Sequence, residues 1–166
     1  IGTAAIAISH IFPHAKILTI EPSSENLVML KKNVLNFKNI EVISGALISG
    51  NKNKISLMNR GTGEWGYTTV SKPLDNNKSQ ELHESNAFNL STLGISIEEI
   101  GILKLDIEGG ELDLFLNDQE SLKKIPNIII ELHDRIIDGC SDAFFKFSED
   151  RVVIKDSGEK FLAISR

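Results

Sequence analysis

"LKLDIEGGELDLF", Leu103 to Phe115, decides how this chain is read. Ile102, Leu103, Leu105 and Ile107 have the pattern of a buried strand, yet Asp106, Glu108, Glu111 and Asp113 follow at once. Burying unpaired charge is expensive, so the strand either surfaces or delivers its acids to something. Side chains alternate along a strand, which puts Lys104, Asp106 and Glu108 on one face and Leu103, Leu105 and Ile107 on the other. Lys104 and Asp106 are close enough to pair. Gly109 and Gly110 allow a tight turn. Glu111 then falls in a first helical turn, where an acid complements the macrodipole; that role and a chemical one are equally open.

The flanking sequence repeats one theme. Ala4, Ala5, Ile8, Ile11 and Phe12 recur at helical spacing until Pro13. "AKILTIEP" is a short strand from Lys16 to Ile20, ended by Glu21 and Pro22. Ser23 or Ser24 caps a helix whose buried stripe is Leu27, Leu30, Val34 and Leu35. "NIEVISGAL" is a strand ending at Gly45. From Ser49 to Asn89 the pattern loosens, and β-like pieces at "KISLM" and "WGYTTV" predict a hairpin-containing excursion with a mobile loop. "LSTLGISIEEIG" predicts a short helix, followed by the strand Ile102–Ile107. Then come a helix from Gly110 to Leu116, a shorter one around Leu122, the strand "NIIIELH" and the helix "SDAFFKF". The tail, "RVVIKDSGEKFLAIS", reads as a hairpin. Helices alternating with short apolar strands imply parallel βαβ units in one α/β domain, residues 1–166.

Composition narrows the function. Of 166 residues, 41% are hydrophobic and 25% charged, ordinary for a globular chain. Net charge is −5, and the pairs Lys31–Lys32 and Lys123–Lys124 are isolated. A nucleic-acid surface needs clustered positive charge, so none is expected. No apolar run approaches the roughly 20 residues that span a bilayer, so no membrane partner is expected either. Cys140 stands alone, which excludes an internal disulfide and a cysteine-rich zinc site and suits a reducing cytoplasm. The chain opens at Ile1, already in a helix-like stretch, so sequence upstream of it is expected.

In open parallel sheets, ligands bind beyond the carboxyl ends of strands. Glu21 lies nineteen positions after Gly2. A glycine at a helix start, with an acid about 20 residues on, is how an α/β site grips a ribose; an exposed strand end is the plain alternative. In "IIIELHD", Ile128, Ile129 and Ile130 are apolar on both faces, so this strand is expected to be central and parallel. Glu131 and His133 point to one side. If the two acid-ended strands are neighbours, Asp106, Glu108, Glu131 and His133 converge. His133 titrates nearest neutral pH and is the best general-base candidate. A divalent ion held by the carboxylates and the histidine is an alternative; another is a histidine merely bonded to Asp134 or Glu131. No residue is assigned as a metal ligand. His10, His14 and His83 are assigned nothing. Trp65 and Tyr67 either form a lid or an ordinary hairpin face.

"FPHAKILTIEPSSENLVMLKKNV", "LKLDIEGGELDLF" and "IIIELHD", in this order and spacing, resemble the FkbM-type methyltransferase family. The resemblance implies a class I, Rossmann-like sheet, mostly parallel with an antiparallel C-terminal hairpin. The first strand and most of the Gly-rich loop would precede Ile1. It implies S-adenosylmethionine as cofactor and methyl transfer to oxygen, commonly a hydroxyl on a sugar, polyketide or other small metabolite. By the same resemblance Gly2 ends the cofactor loop and Glu21 holds the ribose. Pro22 and Asn26 shape that pocket, Ala46 lies near the adenine, and Asp106 faces methyl donor and acceptor. Negative charge at Asp106 and Glu108 would favour the cationic donor, and His133 or Asp106 would take the hydroxyl proton. A nicotinamide-dependent oxidoreductase and a non-catalytic binding module are the rivals.

Overall fold

The computed structural model describes residues 1–74 and 79–166, and all of Trp65 but its side chain. Helix α1, Thr3–Ile11, precedes strand β1, Ile17–Glu21. Helix α2, Ser24–Val34, starts where Ser23 Oγ accepts from the Asn26 backbone N–H at 3.3 Å. Its buried stripe is Leu27, Leu30 and Val34, packed on Ile6, Ile40 and Val42. Leu35, expected in that stripe, lies past the last helical turn and is 79% exposed.

Strand β2, Ile40–Ser44, runs parallel to β1, with Glu21 opposite Ser44. The excursion differs from its sequence reading. β3 is Ala46–Leu47, β4 is Lys54–Asn59, and the partner of β4 is β5, Gln80–Phe88, which the sequence did not suggest. β5 turns Ser85 and Ala87 inward and leaves Leu82 exposed, so its alternation runs against the usual apolar-inward rule. "WGYTTV" contributes only a 3₁₀ turn at Glu64–Gly66 and a bridge from Thr68 to Met58. The four residues 75–78, within the stretch expected to hold a mobile loop, lie outside the described residues.

Strand β6, Ile102–Leu105, follows two 3₁₀ turns at Leu90–Thr92 and Ile97–Glu99 in place of the expected short helix. Then come α3, Glu111–Asn117; α4, Gln119–Lys123; β7, Asn127–Glu131; α5, Cys140–Phe147; β8, Arg151–Lys155; and β9, Lys160–Ser165. The expected C-terminal hairpin is β8–β9. β7 is central, as expected, but only half parallel: β6 flanks it parallel and β9 antiparallel. Its Ile129 is 36% exposed, so one face is not fully covered.

The described strands are hydrogen-bonded into three sheets, β1–β2, β3–β5–β4 and β6–β7–β9–β8, where the sequence predicts one mostly parallel sheet. Parallel pairs (β1–β2, β3–β5, β6–β7) are matched by antiparallel ones (β4–β5, β7–β9, β8–β9), so the architecture is mixed α/β. The main core lies between the last sheet and helices α3 to α5. Leu105, Leu114, Phe115, Ile128, Ile130, Phe144 and Ala163 are all at most 1% exposed there. Each large apolar side chain buried so fully contributes about 1.5–3 kcal/mol. That sum holds β6 and β7 side by side and so fixes where their polar ends emerge. Among the described residues, no helix is long and apolar enough to cross a membrane.

Candidate active site

Beyond Leu105 the chain leaves β6 and makes a turn held by one carboxylate. Glu111 Oε1 accepts from the Ile107 backbone N–H at 3.0 Å, and Oε2 accepts from that of Gly109 at 2.8 Å. Glu108 and Gly109 are both left-handed, at φ 52° and 98°. Gly109 is well suited, since a Cβ there would meet methyls of Ile136 and Val70 at 3.0 Å. Glu108 is not. A non-glycine residue in that region costs on the order of 1 kcal/mol and persists only where its surroundings hold it. Two contacts do so: Thr68 Oγ1 donates to the Glu108 carbonyl at 2.5 Å, and Arg60 Nη2 meets Glu108 Oε2 at 2.7 Å.

His133 lies two residues past β7 and is fully buried. Its Nδ1 is 2.9 Å from Glu111 Oε1. A carboxylate accepts and cannot donate, so in the neutral imidazole the proton sits on Nδ1 and Nε2 carries the lone pair. Nε2 has no hydrogen-bond partner among the described residues. It lies 3.9 Å from Asp106 Oδ1 and 3.8 Å from Glu108 Oε1, beyond hydrogen-bond range. Burial pulls the His133 pKa down, but the Glu111 hydrogen bond and the charges of Glu111, Glu108 and Asp106 outweigh it, and the net shift is upward. Burial raises the Glu108 pKa above the ordinary carboxylate value, with His133, Arg60 and Arg135 pulling back.

The expected convergence is therefore met by Asp106, Glu108 and His133 but not by Glu131. Glu131 turns toward β9 and pairs with Lys160 at 3.7 Å, because β9 is the neighbour on that side of β7. Asp134 is also otherwise engaged, accepting from the backbone and hydroxyl of Ser141 at the start of α5. Glu111 is the histidine's partner. Lys104 pairs with Asp106 Oδ2 at 3.0 Å, as expected.

A cleft runs from the end of β1 to the end of β6, lined by Glu21, Pro22, Asn26, Ala46, Asp106 and Glu108 together with Leu57, Glu64 and Tyr67. Glu21 Oε1 accepts from the Ser23 backbone N–H at 2.9 Å and lies 3.5 Å from Asn26 Nδ2. Burial raises its pKa, against those two bonds. Asn26 Nδ2 also donates to the Glu64 carbonyl at 3.0 Å, while its buried Oδ1 has no partner among the described residues. Gly2 is not in the lining. It caps α1 with φ 85°, and a Cβ there would strike Leu30 at 2.9 Å. Tyr67 lines the cleft; the Trp65 side chain, half of the lid expectation, lies outside the described residues.

Arg60 was not legible in the sequence. It is 2% exposed, donates from Nε to the Gly66 carbonyl at 2.8 Å and reaches Glu108 across 48 positions. The only local signal is a lone arginine after the apolar strand β4, and no spacing links it to "DIEGGE". The acids at the cleft's β6 end are thus held from both sides, by Arg60 of the excursion and by the buried Glu111–His133 pair.

A family model described as "Methyltransferase FkbM domain" matches residues 3–157. No curated protein and no solved structure matches the chain. The matched span runs from α1 to the β8–β9 turn and contains every residue that lines the cleft or holds its floor. The chain belongs to the FkbM methyltransferase domain family.

Proposed function

We propose that this methyltransferase moves the methyl group of S-adenosylmethionine to a hydroxyl oxygen of a small metabolite or sugar. The observation that carries the reading is one cleft joining a ribose-type acceptor end, Glu21 and Asn26, to an acidic, histidine-backed end, Asp106, Glu108 and His133. The residues present fit the cofactor. Glu21 keeps Oε2 clear of the bonds that hold Oε1, and Asn26 Oδ1 is a buried acceptor without a donor. Ribose hydroxyls are donors that both can satisfy. Pro22 and Ala46 supply apolar lining, and Asp106, Glu108 and Glu64 favour a cationic ligand. We read the β1–β2 and β6–β7–β9–β8 sheets as two parts of one Rossmann-like sheet, because the C-terminal ends of β1 and β6 open on this cleft.

When bound, the cofactor supplies a methyl group activated by a positive sulfur. The protein's task is then alignment, whose benefit is positional, together with removal of the hydroxyl proton as attack proceeds. His133 is our candidate for the second task. Glu111 holds its Nδ1, so Nε2 presents a lone pair toward the acids at the cleft floor. Asp106, 40% exposed, is the most exposed of the three, and we take the acceptor to approach past it. Cys140 is buried and its thiol pKa is pushed up to about 11, so it takes no part as a nucleophile. A lone buried thiol is at home in a reducing compartment, and the cytoplasm is the setting we propose. Net charge of −5 gives no reason to add a nucleic-acid partner.

Calorimetric titration of the full-length protein with S-adenosylmethionine and, separately, with NAD tests the cofactor. Binding of the former alone is expected. Binding of NAD alone, or of neither, would overturn the reading.

A further inference from the structure

Asp106, Glu108 and His133 share a feature that methyl transfer does not require. Each spends one polar atom on a fixed partner and turns the other inward. Asp106 Oδ2 is held by Lys104 at 3.0 Å, Glu108 Oε2 by Arg60 at 2.7 Å, and His133 Nδ1 by Glu111 at 2.9 Å. The three remaining atoms, Asp106 Oδ1, Glu108 Oε1 and His133 Nε2, converge, and one donor atom from each residue lies within 4.8 Å of the others. His133 Nε2 is the telling one. Its side chain is 1% exposed and Nε2 has no hydrogen-bond partner among the described residues. A buried polar atom left so is destabilising, and a ligand at that point would satisfy it.

We propose that these three atoms form a site for a borderline divalent cation of the Mn²⁺ or Zn²⁺ kind. Two carboxylate oxygens and one imidazole nitrogen suit such ions better than Mg²⁺ or Ca²⁺, which prefer all-oxygen shells. Ligands at about 2.0–2.2 Å from an ion lie roughly 3–4.4 Å apart, so the observed 3.8 and 3.9 Å separations need only small side-chain adjustments. Glu111 completes the arrangement. A ligating histidine commonly donates its other N–H to a carboxylate, which orients the ring and raises its basicity. Lys104 and Arg60 sit on the outer oxygens, so an ion enters without displacing either pair. Such an ion site goes beyond the proposed methyl transfer. An ion would take the lone pair that the metal-free protein offers a proton, so occupancy and the base role of His133 exclude each other.

Chelator-treated protein at pH 8 is titrated with Mn²⁺ alone, the free ion followed by electron paramagnetic resonance, and then with Zn²⁺ by calorimetry. One saturable site per chain is expected. Asp106→Asn and His133→Gln should each weaken it at least about tenfold, since losing even a group that only orients a metal ligand costs about 10–100-fold. Glu120→Gln, on an exposed pair with Lys123 in α4, should leave it unchanged. His133→Gln removes a buried group and risks the fold. Asp106 is 40% exposed, so Asp106→Asn, checked by circular dichroism, decides the question by itself. No saturable binding of either ion, or Asp106→Asn binding as tightly as wild type, would overturn the proposal. S-adenosylmethionine is absent throughout, so failure here leaves the methyl-transfer reading untouched and its failure leaves the ion site untouched.

Discussion

His133 Nδ1 lies 2.9 Å from Glu111 Oε1, and both side chains are sealed from solvent. The same carboxylate accepts from the backbone N–H groups of Ile107 and Gly109. One buried acid therefore shapes the turn after β6 and orients the imidazole after β7. Fold and site share a single fastening.

Replacing that acid tests the fastening. In Glu111→Gln one amide N–H must face a donor that now points at a carboxylate oxygen. A charge-assisted bond is lost and a buried donor is left unpaired, a cost of about 2–4 kcal/mol. Urea unfolding should show a lower midpoint with an unchanged slope. A loss under about 0.5 kcal/mol would mean that the turn stands without Glu111.

The His133 pKa has a defined sign. Its folded value lies above the ordinary 6.5, so the stability linked to its protonation is fully present below about pH 6.5 and is lost as pH rises through the folded value. Wild-type stability should fall across that window relative to His133→Asn. The imidazole ring protons should titrate with a midpoint above 6.5 by nuclear magnetic resonance, and a midpoint below it would refute the assignment. If His133 is the base in the metal-free enzyme, kcat should rise with pH through the same midpoint.

Glu21→Gln isolates the proposed ribose role. The remaining carbonyl oxygen can keep the 2.9 Å bond from Ser23, so the entry to α2 survives. The free oxygen becomes an amide donor facing hydroxyl donors. S-adenosylmethionine and its demethylated product should both weaken by about 2–4 kcal/mol, roughly thirty- to a thousandfold. Affinities within a factor of two of wild type would make Glu21 a strand end and nothing more.

Asp106→Asn should behave differently, because its proposed effect is electrostatic. At 40% exposure its charge is screened, so the cationic donor should lose only about three- to tenfold more affinity than the neutral product. Equal losses for the two ligands, measured by competition calorimetry, would remove charge selection from its role.

Arg60→Met breaks the ion pair that spans the excursion and the turn. The Arg60 side chain is fully buried and Glu108 nearly so, and removing one partner of such a pair costs about 3–5 kcal/mol. Thermal unfolding should show a large fall in Tm, and the double variant Arg60→Met/Glu108→Gln should recover part of it. No recovery would show that the cost lies in lost packing and not in an orphaned charge.

Local physics made much of this protein legible from its residues alone. Apolar periods of helix and strand located β1, α2, β6, β7, α5 and the last hairpin, because each buries a stripe that a short window displays. The polar strand ends at Glu21, Asp106 and His133 stood out for the same reason, since acid beside a buried run is costly unless it meets something. Three matters needed the tertiary structure. β5 carries Ser85 and Ala87 inward and Leu82 outward, so its pairing with β4 rests on backbone hydrogen bonds that no hydrophobic pattern records. Glu131 reads like its neighbour His133 but faces Lys160, because which strand lies on each side of β7 is settled by packing over the whole sheet. Arg60 and Glu108 lie 48 positions apart and Glu111 and His133 lie 22 apart. Each pair is worth its desolvation cost only after the core has brought the partners together, and a linear sequence holds no trace of that distance.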